Sequence, residues 1–411
     1  MRVAFFTEAY DPFMNGVIVL IKSYREQLQR MGHEVVVFAP EYPGYRDTDE
    51  AIVRLPSIAL SRKAYPCLRP FSGIDAEFRR QPFDLIHSHH PFTTGLAAER
   101  LARACGIPLV HSFHTLLPLL AGYVPLPQAL TEAALTYVIR RHCSRAARVI
   151  VTNDLMQDWL RDHGVQTPIS IVPPAVEPRT PTPGSREQIR TRFAIPRDTP
   201  VLIYVGRIGP EKNLDFLLRA IALLPQDRDC RLMLVGSGVD EGRLARLAAD
   251  LGLAERTIFT GEVPHDQTAD YYAAGDIFVF PSPSDTFGLV LLEAMNAGLP
   301  CVAVGVNGPR AVLEDEVTGL LTPVEEPAFA TAIERLLANS DLRQRMGHAA
   351  AEHSRSCSAD EAGRRLIDAY SLALGRELTG LRPGPSPSVV QTPKHRPLHP
   401  TAAAPAHRRP T

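Results

Sequence analysis

Short apolar runs rich in Val, Ile and Phe recur along the chain, each followed by a longer stretch whose apolar positions return with helical period. The first half offers "RVAFFT", "EVVVFAP", "FDLIHSH", "IPLVHSFH", "ARVIVTN" and "ISIVP"; the second offers "VLIYVG", "CRLMLVG", "TIFTG", "IFVFPS" and "PCVAVG". Strands that are apolar on both faces and alternate with helices predict parallel sheets joined by crossover connections, hence an α/β protein with two open sheets. Between the two series lies "PPAVEPRTPTPGSRE", whose prolines suit a linker and not the interior of an element. The junction is placed near Pro178, giving an N-terminal domain over residues 1–178 and a C-terminal domain over 179–379. The last helices of the second domain are expected to pack back on the first. Residues 380–411, Pro-rich and basic, have the composition of a disordered tail.

Composition narrows the class. A chain of 411 residues with 45% hydrophobic content is long enough for two domains, each with its own core. The formal charge of −1 conceals an asymmetry: the segment from Arg382 to Thr411 carries five Lys/Arg and no Asp/Glu, leaving −6 on the preceding residues. Nucleic acid is therefore not the expected main partner. The six cysteines (Cys67, Cys105, Cys143, Cys230, Cys301, Cys357) show no CxxC spacing, which predicts reduced thiols and a cytosolic setting. The opening "MRVAFFTEAYDPF" is broken by Glu8 and Asp11, too early for a signal peptide or a span.

In open α/β sheets ligands bind beyond the carboxyl ends of the strands, so the residues just after each run deserve inspection. Gly16, in "TEAYDPFMNGV", would let backbone approach a ligand at a helix start; alone, it reads as a turn glycine. In "VGRIGPEKNLDFLLRA", Arg207 and Lys212 flank a strand-to-helix turn and together suit a diphosphate, or else form a solvated basic pair. "VGSGVDEGRL" lacks the dinucleotide spacing and reads as a tight loop. "SDTFGLVLLEAMNAGLP" predicts a polar turn holding Asp285 and a helix with Glu293 about two turns in. There the amides of Phe287, Gly288, Leu289 and Val290 suit phosphate or sugar oxygens, and Glu293 suits a diol such as ribose. On spacing alone, Asp285 as a helix cap and Glu293 paired with a neighbouring Lys or Arg fit equally well.

"GRIGPEKNLDFLLRA" followed by "DTFGLVLLEAMNAGLPCVAVGVNGP" resembles the family 4 retaining glycosyltransferases, and the likeness covers nearly the whole chain before the tail. In the first half, "MNGV", "GHEVVVFAPEYPGY", "IHSHHPF" and "HSFHTLLPLLAGYVPLP" are closest to diacylglycerol glucosyltransferases and related lipid enzymes. The resemblance implies the GT-B fold, two Rossmann-like domains facing a central cleft. It also implies that Arg207 and Lys212 hold a donor diphosphate, Glu293 the ribose hydroxyls, and the Leu289 and Val290 amides the phosphates, with Gly16 approaching from the other domain. Asp285, Phe287 and Gly288 would meet the transferred sugar, together with His114; Asp285 and His114 are the catalytic candidates. Asp285 stands where the family usually has Glu, and "IVPPAVEP" lacks that family's usual glycine. The reaction expected is hexosyl transfer with retention, the donor being of the UDP-glucose or GDP-mannose type and no metal or other cofactor being required.

His87, His89, His90, His111 and His114 follow two adjacent strands, and a zinc hydrolase is the rival reading of that cluster, although no zincin spacing is present. A non-catalytic sugar-binding or nicotinamide-dependent module is a third. The Asp-x-Asp strings at Asp47 and Asp227 are read as surface loops. On the acceptor side, "LSRKAYPCLRPF" interleaves Arg62, Lys63 and Arg69 with Leu60, Tyr65, Leu68 and Phe71, a composition suited to an anionic membrane surface. Arg140, Arg141, Arg145 and Arg148 would add to it. The acceptor expected is a lipid such as diacylglycerol or a glycolipid, reached from the cytoplasm at the inner face of the membrane; a soluble sugar or small-molecule acceptor is the alternative.

Overall fold

The computed structural model describes residues 1–13, 15–58, 67–68, 74–117, 126–225 and 227–378. Arg62, Lys63 and Arg69, and the tail from residue 380, lie outside these. In chain order the first half supplies β1 (Arg2–Phe6), β2 (Glu34–Pro40), β3 (Ile52–Leu55), β4 (Ser57–Ile58), β5 (Cys67–Leu68), β6 (Leu85–Ser88), β7 (Leu109–Ser112), β8 (Arg148–Val151) and β9 (Ile169–Ile171). Seven of these form one sheet in the order β3-β2-β1-β6-β7-β8-β9, every pairing parallel, while β4 and β5 form a separate antiparallel pair. The second half supplies β10 (Val201–Val205), β11 (Arg231–Val235), β12 (Thr257–Phe259), β13 (Ile277–Phe280), β14 (Cys301–Val304) and β15 (Gly319–Thr322), ordered β12-β11-β10-β13-β14-β15 and likewise parallel.

The alternation along β1 shows why its run is apolar after Arg2. Val3 and Phe5 enter one core with Ile18, Ile21 and Tyr24 of the helix Gly16–Arg30, and Ala4 and Phe6 enter the opposite core with Phe38, Ile86 and Leu101. The first of these cores also takes Leu366, Ala369 and Tyr370 from the helix Ala359–Leu374, so the end of the described chain covers the first sheet beside the first helix. The second sheet is wrapped by a single large core that includes Tyr204, Phe278, Phe280, Leu291 and Phe329.

Four of the strands escape a reading by apolar runs: the two-residue β4 and β5, and β3 and β15 of the two main sheets. β3 and β15 are both edge strands, short and interrupted by a charged or small residue ("IVRL", "GLLT"), so neither stands out as a buried stretch. The strand order reverses at β1 and at β10, each flanked by two strands that follow it in the chain, β2 and β6 in the first sheet and β11 and β13 in the second. The loops leaving β1, β6, β10 and β13 therefore border the crevices in which such sheets bind ligands.

Candidate functional site

The loop after β10 runs from Gly206 through a tight turn at Pro210–Lys212 to Asn213, whose left-handed backbone (φ 56°) redirects the chain into the helix Leu214–Ala222. Its backbone rests on the "VGSG" loop after β11, where the Ile208 N–H donates to Ser237 O at 2.8 Å. That glycine-rich segment is thus the tight loop expected, with Ser237 supporting its neighbour. Lys212 reaches the turn after β13: its Nζ lies 2.8 and 2.9 Å from the two oxygens of Asp285. A cation and a carboxylate that are 73 positions apart in the chain meet at one crevice. Asp285 consequently does not cap the following helix. Arg207 points elsewhere; its side chain is 71% exposed and donates to Glu211 Oε1. The two cations are not a paired clamp here: one is tied across the loops and the other lies out on its own turn.

The helix after that turn begins later than the sequence suggests. Gly288 adopts φ 76° and the helix spans Leu289–Asn296, so Glu293 is its fifth residue, a little over one turn in and not two. The left-handed backbone at Gly288 swings the chain from the turn into the helix, leaving the Leu289 and Val290 amides at an end where no intrahelical carbonyl serves them. Phe287 is buried against the second core. Glu293 finds neither Lys nor Arg: Oε1 lies 3.0 Å from His265 Nε2, and Oε2 accepts from Tyr272 Oη at 2.9 Å. Neither partner was legible in the sequence, since a search for a cation passes over a phenol and a half-exposed imidazole.

Further residues the sequence reading did not assign hold the Asp285 turn in place. Ser284 Oγ donates to Glu211 O at 3.0 Å, Asn307 Nδ2 to Pro283 O at 2.7 Å and the Gly308 N–H to Asp285 O at 2.8 Å. A Cβ at Gly308 would sit 2.6 Å from Phe287 N and 2.7 Å from Asp285 O, so only glycine allows this approach. The "VNGP" string was the available signal, because an Asn-Gly just past a strand marks a special turn.

The first sheet faces this turn. Thr286 Oγ1 donates to His114 O at 2.7 Å, and Thr286 O accepts from Asn153 Nδ2 at 2.9 Å. A Cβ built on Gly16, the first residue of its helix, would lie 4.0 Å from Leu289 Cδ1. Gly16, His114, Lys212, Asp285, Phe287, Gly288, Leu289, Val290 and Glu293 are thus gathered along the facing carboxyl edges, and Arg207 alone among the described candidates turns its side chain away.

The histidines form a buried polar layer behind that edge. His87 is held by Tyr370 Oη and Ser112 Oγ, each at 2.7 Å; Ser88 Oγ bridges His111 Nδ1 and His142 Nε2, each at 3.0 Å. His89 Nδ1 and His114 Nε2 are 3.0 Å apart, while His114 Nδ1 and His89 Nε2 are buried without a hydrogen-bond partner. Among the described residues no group of three or more His, Cys, Asp or Glu is arranged to hold a metal ion. Glu8 is buried too, accepting from the Thr94 N–H at 2.7 Å and from Thr93 Oγ1; it supplies the end of the helix Thr93–Cys105 with an acceptor. Burial pushes its carboxyl above the usual range.

Burial keeps the imidazoles neutral. It lowers His90 and His142 to about 4 and His114 to about 3, and it holds His87, His89 and His111 well below the ordinary value, with neighbouring imidazoles adding to the effect. These folded-state values lie below the roughly 6.5 of a free imidazole, so under that pH the unfolded chain binds more protons and stability falls as pH falls. Each group contributes up to about 1.4 kcal/mol per pH unit. The melting temperature should therefore drop steeply between about pH 6.5 and 5 by calorimetry; a flat profile there would contradict the buried neutral cluster.

Two family models match the chain, one in each half. Residues 14–180 match the family described as Glycosyltransferase Family 4, and residues 185–353 match Glycosyl transferases group 1. The alpha-monoglucosyldiacylglycerol synthase of Streptococcus pneumoniae is 28% identical over 90% of this chain and 85% of its own length. The D-inositol 3-phosphate glycosyltransferase of Frankia alni is 31% identical over 87% of this chain and 95% of its own. Among solved structures, the sucrose-phosphate synthase of Thermosynechococcus elongatus superposes with a TM-score of 0.77 at 23% identity, covering 91% of this chain and 99% of that one. Anabaena HepE in complex with UDP gives 0.75 at 18% identity, covering 90% and 100%. The two structures are alike in fold.

Proposed function

The chain belongs to the family 4 glycosyltransferases of the GT-B fold, and from that premise we propose that it moves a hexose from a nucleoside-diphosphate sugar to a lipid hydroxyl. The observation that carries the reading is the convergence at the second sheet's edge: Lys212 on Asp285, the free amides of Leu289 and Val290, and Glu293 held by two donors. Lys212 and the amides suit the diphosphate, and Glu293 suits the ribose diol. Asp285 and His114 suit the sugar between the two edges, His114 through its buried, unpartnered Nδ1. Arg207 sits at the mouth of the same loop and reaches the phosphates by swinging away from Glu211. Gly16 lets the opposite edge close on them.

Cleavage of the anomeric bond puts negative charge on the leaving phosphate and positive charge on the sugar. Lys212 and the helix amides stabilise the first, and Asp285 the second. In our reading the acceptor oxygen bonds to the anomeric carbon on the face the phosphate leaves, and a phosphate oxygen takes the acceptor's proton. Configuration is then retained without a protein nucleophile. Neutral His114 orients the sugar as a hydrogen-bond partner and carries no charge into the step. No metal has a role in this scheme, so transfer should persist in EDTA; loss of activity that added divalent ion restores would overturn that point.

The lipid acceptor draws support from the relative named a monoglucosyldiacylglycerol synthase and from the helix Gln128–Cys143. That helix exposes Leu130 (65%) and Tyr137 (66%) on one side, beside exposed Arg140. The neighbouring arginines contribute less than the sequence suggests. Arg141 and Arg145 join Arg103 on the buried carboxylate of Glu99, and Arg148 donates to Ser170 Oγ. No described helix is long and apolar enough to cross a membrane. In this reading contact with the lipid is peripheral, at the inner face. Co-sedimentation with anionic vesicles at low salt should show binding that weakens when Leu130 and Tyr137 are changed to Ser, and further when Arg62, Lys63 and Arg69 are neutralised. Absence of binding would favour the second reading, a soluble polyol or sugar acceptor, to which the inositol phosphate relatives point.

A further inference from the structure

Glu293, the carboxylate assigned above to the ribose diol, is not oriented by its own helix alone. His265 and Tyr272 hold one oxygen each, and both come from the segment between β12 and β13. That segment is gripped in turn by the proline-rich crossing between the two sheets. Arg179 Nη1 donates to His265 O at 2.8 Å and Arg179 Nη2 lies 3.1 Å from His265 Nδ1. Three residues on, the Thr182 N–H donates to Asp270 Oδ1 at 2.6 Å and Thr182 Oγ1 to Oδ2 at 3.1 Å.

The chemistry of the first contact fixes a proton. A guanidinium has only donors, so His265 Nδ1 must accept, and the single ring proton of the neutral imidazole sits on Nε2. Nε2 then donates to Glu293 Oε1. While Arg179 Nη2 donates to it, Nδ1 carries no proton, so the ring meets Glu293 as a donor through Nε2 alone. It orients the carboxylate and leaves its charge uncancelled, available to ligand hydroxyls on the remaining lone pairs. An imidazolium in the same place would form an ion pair with Glu293 and compete for that charge.

We propose that Arg179 is a positioning residue for the donor site: from the crossing segment it sets the His265 tautomer, and through it the orientation and free charge of Glu293. The proposal rests on the reading of Glu293 as a nucleotide ligand. It makes nucleotide affinity depend on the seating of the very segment that joins the two sheets.

The test pairs a spectrum with a titration on the full chain. Nitrogen-15 imidazole spectra, with His265 assigned by its loss in His265→Gln, should show an unprotonated Nδ1 and a protonated Nε2. Arg179→Ala should give a mixture of the two ring tautomers and weaken UDP or GDP binding about fivefold. Thr182→Ala removes a hydrogen bond from the same segment without touching His265, and it should leave both readouts within about twofold. Arg179 is exposed, so folding is not at issue. An unchanged His265 spectrum in Arg179→Ala overturns the proposal. So does a changed spectrum with unchanged affinity in a protein whose Glu293→Gln variant binds weakly. If Glu293→Gln itself binds UDP and GDP as the parent does, the donor-site reading fails first and takes this one with it.

Discussion

Replacing Lys212 by alanine is expected to cut hexosyl transfer by about two to three orders of magnitude, the range seen when one donor to a developing oxyanion is removed. Its Nζ is the only side-chain cation that the described loops place against the Asp285 turn, within 2.9 Å of both carboxylate oxygens. The loss should fall mainly on kcat, since the charge on the leaving phosphate grows toward the transition state. Stability should change little. Both partners are partly exposed, and such pairs are worth about 1 kcal/mol or less. A folded Lys212→Ala protein with near-parental kcat would mean that the phosphate leaves somewhere else.

The second large effect is expected at Glu293. Glu293→Gln keeps the side chain's shape and one acceptor oxygen but removes the charge that His265 and Tyr272 orient. Hydrogen bonds to charged groups are worth about 1.5–3 kcal/mol, so donor affinity should fall roughly 10- to 150-fold. The defect should appear in the donor KM, with kcat at saturating donor affected less, because ribose contacts hold in ground and transition states alike. The same variant should leave acceptor KM near its parental value. A weakened acceptor with an intact donor would exchange the assignments of the two edges.

The two sheets are legible because strands buried on both faces must be apolar along nearly their whole length, as β10 is and as β1 is after Arg2. β3 and β15 are not, since Arg54 interrupts the one and the other is two leucines between Gly319 and Thr322, whereas the edge strands β9 and β12 are. The site was legible as a set of residue types after strand ends, while its pairings were not. Nothing local connects Lys212 to Asp285; the contact exists because β10 and β13 are neighbours in the sheet. The same holds for Glu293, whose partners arrive from the segment after β12 and not from its own helix face. Glu293 lies nearer the start of its helix than its spacing predicts for one conformational reason, the left-handed backbone at Gly288 that delays the helix start. Arg207 illustrates the opposite failure: the right residue type at the right strand end, with its side chain committed to Glu211.

Both effects require a nucleoside diphosphate to bind along the second sheet's edge between Lys212 and Glu293. Calorimetric titration of the full chain with UDP and with GDP tests it most directly. Saturable one-to-one binding of at least one of them is expected, weakened at least tenfold in both Lys212→Ala and Glu293→Gln. Absence of binding by either nucleotide at millimolar concentration, or binding that both variants leave unchanged, would contradict it.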